Sequence, residues 1–434
     1  MYQFVELTSD SETLYWNVIP RTMLRTTMIT AGGGATLCAL VVHVIFNRVE
    51  PRNKTVWFLL LVCLPICLGL GLHSFYASLF VSVFKTMLIF IGSLLSSLII
   101  YRLSPLHPLY GFPGPVLLRI SRLASFKILF TGKQHEIYQQ LHEKYGPYVR
   151  TGPNHLHISD AQAVPYIMNS PRCLKSELLF DTIWEGYNAV KREDSNARGL
   201  LGIVDPKEHS RRRRLWDRGL NTSALKGYQP LLTNRINQFV ETLRRESSSN
   251  ESIDLAKWIA FFSWGGVFHS MEDGNDVNGL LNLSQTVTKI HETAGTIPWT
   301  RLFYEYLPVS KKTIQQLAFA KRTVLDRIKR GCGATPDLFM YLLGEHDDTI
   351  DEPLSLPALV LETSFALIAG PTACAGKSLA LMEMRAVLST VLSKFELAFA
   401  DGWNPAEWEH NLKDFYTLRG GPLPIVLVPR KVAS

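Results

Sequence analysis

The chain has 434 residues, 47% of them hydrophobic and 19% charged, enough for a membrane segment plus one large domain or for two ordinary domains. That balance excludes a chain that is mostly disordered. The formal charge of +7, from 45 Lys plus Arg against 38 Asp plus Glu, fits basic residues at one face of a membrane better than nucleic-acid binding, and no nucleic-acid partner is expected. Six cysteines cannot form a dense disulfide framework; Cys38, Cys63 and Cys67 lie in apolar runs, leaving Cys173, Cys332 and Cys374 for chemistry.

The first 103 residues read as a membrane region. Thr27 to Phe46 carries no formal charge and as a helix would be about 30 Å long, one bilayer thickness. Val56 to Leu72 forms a second uncharged run, and Thr86 to Tyr101 a third that becomes long enough if it joins Phe75 to Phe84 across Lys85. Up to three spans are expected, at about 27–46, 56–72 and 77–101. A cleaved signal peptide fits poorly, because the first run lies behind Glu6, Asp10 and Glu12 and two more runs follow it. Arg48, Arg52 and Lys54 separate the first two runs, no Lys or Arg lies between Leu72 and Phe84, and Arg102, Arg119, Arg122 and Lys127 follow the third. This alternation places the remaining chain in the cytosol. One anchor with two hairpin or interfacial helices is the alternative.

Residues 104–115, ending Phe-Pro-Gly-Pro, form a stiff proline-rich hinge. Residues 116–434 then read as a helix-rich α+β domain, mainly α. Gln134 to Tyr145 is helical and stops at Gly146-Pro147, and Tyr148 to Ser159 alternates as a hairpin around Gly152-Pro153-Asn154. Helical periodicity dominates His209–Leu243 and Val287–Leu343, and β character returns at Leu423–Val428.

Chemistry concentrates at Gly370-Pro-Thr-Ala-Cys-Ala-Gly-Lys-Ser-Leu-Ala380. A helix is expected from there to about Phe395, with Ala380, Met384, Val387, Val391, Leu392 and Phe395 on one apolar face. Cys374 precedes its N-terminus, where the dipole and free N–H groups favour a thiolate, the metal-ligating form. Gly370 and Gly376 leave room for a flat cofactor. On spacing alone, an inert buried cysteine competes with this reading.

Gly370, Cys374, Gly376, Leu379 and Ala380 match Gly-x-x-x-Cys-x-Gly-x-x-Leu-Ala, the cysteine-loop motif of the cytochrome P450 family, and Gly-Pro-x-x-Cys-x-Gly-Lys resembles its fungal, membrane-bound members. The proline hinge, the Tyr145-Gly146-Pro147 and Gly152-Pro153-Asn154 turns and the closing Gly421 to Pro429 segment resemble family landmarks in the same order. The resemblance runs from about Ser104 to Arg430. It implies a cytochrome P450-like fold and a monooxygenase whose haem b iron is bound by Cys374 beside Gly376, fed by NADPH through a separate NADPH-cytochrome P450 reductase. It also implies that His209 and Arg213, in the places of the family's Trp-x-x-x-Arg pair, contact a haem propionate. A lipophilic small-molecule substrate, in secondary metabolism and with terpenoids as one class, and residence in the endoplasmic reticulum membrane with the catalytic domain cytosolic follow from the same resemblance.

The family pattern is interrupted before the cysteine. Leu354 to Gly370 resembles the first half of the long helix that crosses the haem, but Ala369-Gly370 runs directly into Pro371-Thr372-Ala373-Cys374. The acid–Thr pair that organises proton delivery, the Glu-x-x-Arg helix and the segment after it would fall in this gap, so no catalytic residue beyond the haem ligand is assigned. Glu241-Thr-Leu-Arg244 has Glu-x-x-Arg spacing but lies far upstream and reads as an exposed i,i+3 pair. A haem-free, inactive paralogue or splice form, acting at most as a membrane binding protein, is the alternative function. Asn53, Asn221, Asn250 and Asn282 begin glycosylation sequons that this topology keeps unmodified in the cytosol. There is no HExxH metal motif and no phosphate-binding glycine loop.

Overall fold

The structure is a computed structural model. It describes residues 21–49, 53–76, 78–168, 199–200, 203, 205–249, 251–268, 270–276, 309–333, 337–345, 353–369, 377–415 and 417–430, with scattered positions between 279 and 296. The chain divides into two compact units, one of residues 1–121 with 149–157 and one of 122–148 with 158–434.

The first unit contains helices α1 (Arg21–Arg48), α2 (Lys54–Gly71) and α3 (Leu79–Leu103). Pro65 cannot donate to the carbonyl one turn back, and α2 passes through a π turn at Leu59–Cys63 just before it. Ala39 and Val42 of α1 bury against Phe90 and Leu94 of α3. Gly69 permits the close approach of α2, since a Cβ there would lie 2.7 Å from the Val83 Cα, and Ser82 Oγ of α3 donates to the Gly69 carbonyl at 2.7 Å. Small residues and interhelical hydrogen bonds are how helices pair where no hydrophobic gain is available.

The rest of the helix surface is apolar and uncovered, with Leu37, Val44, Phe80, Phe84, Leu88 and Ile100 all exposed. Among the described residues two helices, α2 and α3, are long and apolar enough to cross a membrane, with only 11% and 17% of their most apolar stretches buried. A core helix of a water-soluble domain would show the reverse. Of the first expected span, Gly32–Arg48 forms a shorter apolar helix. After α3, helix α4 (Val116–Ile120) and the hairpin of β1 (Tyr148–Gly152) with β2 (His155–Ile158) complete the unit.

The second unit opens with α5 (Ser125–Thr131) and α6 (Gln134–Tyr145), then α7 (Ala163–Met168), α8 (Pro206–Gly219) and α9 (Thr222–Ser249). Asn221 caps α9 by accepting from Ala224 N at 2.9 Å, and Asn53 caps α2 in the same way, so two sequon asparagines have a structural task. A short strand β3 (Ile253–Asp254) leads into α10 (Leu255–Phe268). Then follow α11 (Val309–Arg330), α12 (Leu338–Leu342), α13 (Leu356–Ala369) and α14 (Lys377–Lys394). Last come β4 (Phe395–Phe399), α15 (Pro405–His410), the hairpin β5 (Lys413–Phe415) and β6 (Thr417–Arg419), and β7 (Pro424–Pro429). The architecture is mainly helical with small antiparallel sheets.

Two hydrophobic clusters organise this unit. In one, Phe239 and Leu243 of α9, Trp258 and Phe261 of α10, Val391, Phe395 and Leu427 meet around the sheet of order β3-β7-β4. In the other, Leu215 of α8, Ala320 and Val324 of α11, Leu342 of α12 and Ala358 and Leu359 of α13 close together. The sequence expectation for α14 needs correction: Val391 and Phe395 are buried, but Met384 and Leu392 are exposed with Leu388 on a second apolar row. Spacing of 3.6 residues fixes which residues share a side, not whether that side finds a partner.

Arg327 joins α11 to α12. Its guanidinium, almost fully buried, donates to Asp337 through two nitrogens and to Glu345 through two further bonds at 2.9 and 3.4 Å. Two carboxylates keep this arginine charged above its ordinary range, chiefly through the Asp337 hydrogen bond. Arg327→Met is expected to cost about 2 kcal/mol, less than a fully buried pair because both acids are partly hydrated. Thermal melting of the full chain in detergent measures it; an unchanged midpoint would contradict the role.

Candidate functional site

Helix α8 carries the residues on which the sequence places a cofactor contact. Asp205 caps it by accepting from Lys207 N and Glu208 N at 3.2 and 3.3 Å, and Pro206 sits at the first turn. Its basic run is mostly spoken for within the helix. Glu208 accepts from Arg211 at 2.7 and 2.8 Å and from Arg212 at 2.8 Å, which with the Arg211 hydrogen bond foremost holds its carboxyl down to about 2. Arg213 pairs with Asp217 at 2.7 Å, with side chains 35% and 53% exposed. Arg214 and Arg218 are exposed and form no ion pair among the described residues.

Of the expected pair, Arg213 therefore stands on the wetter side of α8, one turn from the half-buried His209. The buried arginine is its neighbour Arg212. Cys374 and Gly376, with Gly370, Pro371 and Thr372, lie outside the described residues, as does Cys173. What the structure does place is the helix after the cysteine: α14 opens at Lys377, three residues past Cys374, and Leu379 packs beside Ala224 and Tyr228 of α9 and Tyr341 of α12. Glu241 and Arg244 form an exposed i,i+3 ion pair at 2.7 Å, as their spacing predicted.

Sequence reasoning missed Glu362. It is the only charged residue in α13, it is 4% exposed, and it accepts from the Leu200 backbone N–H at 2.7 Å. Burial pushes its carboxyl up to about 7 against the Leu200 hydrogen bond, the charge of Arg212 and the indole of Trp216, all of which pull it down. The Trp216 Nε1 is shielded from solvent without a hydrogen bond of ordinary geometry. Glu362 thus fastens α13 to α8 and to the chain before it. An acid alone in an apolar helix was the signal that could have found it.

The donor set fits a haem in chemistry. A cysteine ahead of a helix N-terminus favours the thiolate, and a half-exposed pair such as Arg213–Asp217 costs little to exchange for a propionate. Among the described residues, no cluster of His, Cys, Asp or Glu could hold a metal ion.

The buried carboxyl generates a pH prediction. An unfolded glutamate releases its proton near 4.5 and Glu362 near 7, so between these values the folded state binds more protons and stability falls as pH rises. The loss is about 3 kcal/mol across that window and is complete above it. Glu362→Gln should remove this slope, read as the difference in melting midpoint between wild type and variant against pH. Parallel curves would contradict it.

Residues 368–419 match the family model described as Cytochrome P450. The chain is 28% identical over 287 residues to the cytochrome P450 monooxygenase FCK2 of Fusarium pseudograminearum, covering 64% of this chain and 49% of that one. It is 26% identical over 326 residues to cytochrome P450 67 of Uromyces fabae, covering 72% and 58%. It thus spans about half the length of the curated relatives it matches. The crystal structure of the cytochrome P450DA heme domain superposes with a TM-score of 0.52 at 11% identity, over 69% of this chain and 94% of that one, a likeness of fold. The cysteine motif lies inside the matched segment and the fold is held in common, so the chain is similar to the cytochrome P450 family in both motif and fold.

Proposed function

We propose that this chain is a membrane-anchored haem-thiolate monooxygenase that oxidises a lipophilic small molecule in fungal secondary metabolism. The observation that carries the reading is the cysteine motif at Cys374, followed after three residues by a helix that the core holds in place. The likeness to that family implies a haem-iron cofactor, which when bound supplies oxygen activation and C–H oxidation. Cys374, with Gly376 leaving room beside it, would hold the iron as a thiolate that the α14 N-terminus stabilises. Arg213 would trade Asp217 for a propionate, with His209 one turn before it on the same side of α8.

The exposed Arg214 and Arg218 leave basic charge on α8 for an acidic redox partner, in this reading an NADPH-cytochrome P450 reductase. The apolar helices α2 and α3 favour the endoplasmic reticulum membrane, with the catalytic domain cytosolic, and a substrate that partitions there. The domain reading, a membrane region of 1–103, a hinge of 104–115 and a catalytic domain of 116–434, belongs to the same proposal. Terpenoids are one candidate substrate class.

A second reading has an observation of its own. Met384, Leu388 and Leu392 form an exposed apolar row on α14, as expected if the segment that relatives carry ahead of the cysteine normally covers it. In this reading the chain is a haem-free, inactive short form.

One experiment divides them. The full chain, expressed in membranes, is reduced under carbon monoxide and its difference spectrum recorded. The first reading expects a thiolate-haem band, abolished by Cys374→Ala and lowered about tenfold in retained haem by Arg213→Gln through loss of a charge-assisted hydrogen bond. Folded protein without a haem signal would select the second.

A further inference from the structure

The first unit ends in a cluster of positive charge that no acid answers among the described residues. From Pro51 to His135 the chain contains no Asp or Glu. Within this stretch and the adjoining hairpin stand Arg102 at the foot of α3, Arg119 on α4 and Arg150 on β1.

Two of these are satisfied by backbone. Arg150, fully buried, donates to the Pro153 carbonyl at 3.1 and 2.8 Å and to the Arg102 carbonyl at 2.9 Å. Its own backbone N–H reaches the Pro113 carbonyl at 2.7 Å, and a Cβ on Gly114 would lie 2.3 Å from the Arg150 carbonyl oxygen, so the hinge lies flat on the strand. Arg102 donates to the Ile120 carbonyl at 2.6 Å. His107, also buried, bonds Asn154 through Nε2 at 3.2 Å and accepts from Leu109 N at 3.1 Å. Burial and then the charge of Arg150 hold it below its ordinary value and so neutral.

Arg119 differs. Among the described residues it makes no hydrogen bond and no ion pair, its Nε is shielded from solvent with no partner, and Tyr110 is an aromatic neighbour whose ring centre lies 5.9 Å from the guanidinium carbon. A buried guanidinium nitrogen without an acceptor is costly, and here it lies in the field of further positive charge. Around it the surface is apolar: Leu106 and Leu117 are 81% and 72% exposed, and Tyr110 and Val116 are exposed as well. The missing counterpart is an anion delivered from an apolar surrounding, at the end of a helix whose exterior is already lipid-like.

We propose that Arg119, backed by Arg102 and Arg150, binds the phosphate of an anionic glycerophospholipid in the leaflet where α3 ends, while Leu106, Val116 and Leu117 rest among its acyl chains. This rests on the reading of α3 as membrane-spanning. The site would anchor the proline hinge to the membrane through a lipid headgroup rather than through a protein carboxylate.

Native mass spectrometry of the full chain in uncharged detergent tests it, with phosphatidylcholine, phosphatidylserine and inorganic phosphate as separate probes. Wild type should retain one phosphatidylserine in preference to phosphatidylcholine, and Arg119→Gln should weaken that retention about fivefold. Lys54→Gln, which removes a basic side chain at the start of α2, should leave it unchanged. Inorganic phosphate should not displace the lipid. Equal retention of both lipids by wild type, an equal loss in Lys54→Gln, or displacement by inorganic phosphate would overturn the proposal. Should Arg119→Gln fail to fold, the wild-type lipid preference and Arg119→Lys, expected to keep most of it, decide the matter. Alkaline carbonate washing of membranes is read separately. Release of the chain would overturn the spanning reading, whereas a retained chain without headgroup preference would overturn this inference alone.

Discussion

The helix that follows the cysteine motif depends on one packing constraint, the burial of the inner side of α14 in the core of the second unit. Val391 and Phe395 are pinned among Phe239, Trp258 and Leu427, and β4 runs straight on from the helix into five register pairs with β7, from Phe395↔Pro429 to Phe399↔Ile425. With the far end of α14 fixed by this core and Leu379 beside Tyr228 and Tyr341, the start of the helix cannot drift.

The same unit holds a second, more expensive junction. Glu362 is taken out of water to bind the Leu200 N–H, with Arg212 and Trp216 near enough to act on its charge. Arg212 is in turn committed to Glu208. This leaves Arg213, not Arg212, as the side chain free enough to change partners. Burial sorts adjacent arginines into different roles although they are chemically identical: one braces the helix from inside and the next stands at its wet edge.

The first unit obeys the opposite rule of solvation. Its helices bury small and polar contacts, such as Ser82 on the Gly69 carbonyl, and turn Leu88, Phe84 and Ile100 outward. Where α3 ends, Arg150 fastens the helix end, the hinge and the hairpin turn together through carbonyl oxygens alone. A strand arginine with no acid partner is stable only because backbone dipoles surround it. That solution leaves net positive charge behind, and Arg119 bears its consequence.

The sequence by itself determined the class of the molecule. Apolar run length gave the helices that could cross a membrane, the Gly146-Pro147 stop ended α6 at Tyr145, and alternation around Gly152-Pro153-Asn154 marked the β1–β2 hairpin. The motif around Cys374 gave the resemblance to the cytochrome P450 family. These are legible because each depends on neighbours within one or two turns of chain. Tertiary structure alone decided which periodic faces are covered, so Met384 and Leu392 left the core expected for them while Val391 stayed in it. It alone decided that Glu362 is buried and that the Arg119 Nε is shielded without a partner among the described residues, because solvation and pairing depend on groups distant in sequence, and spacing along one helix carries no record of what comes to lie against it.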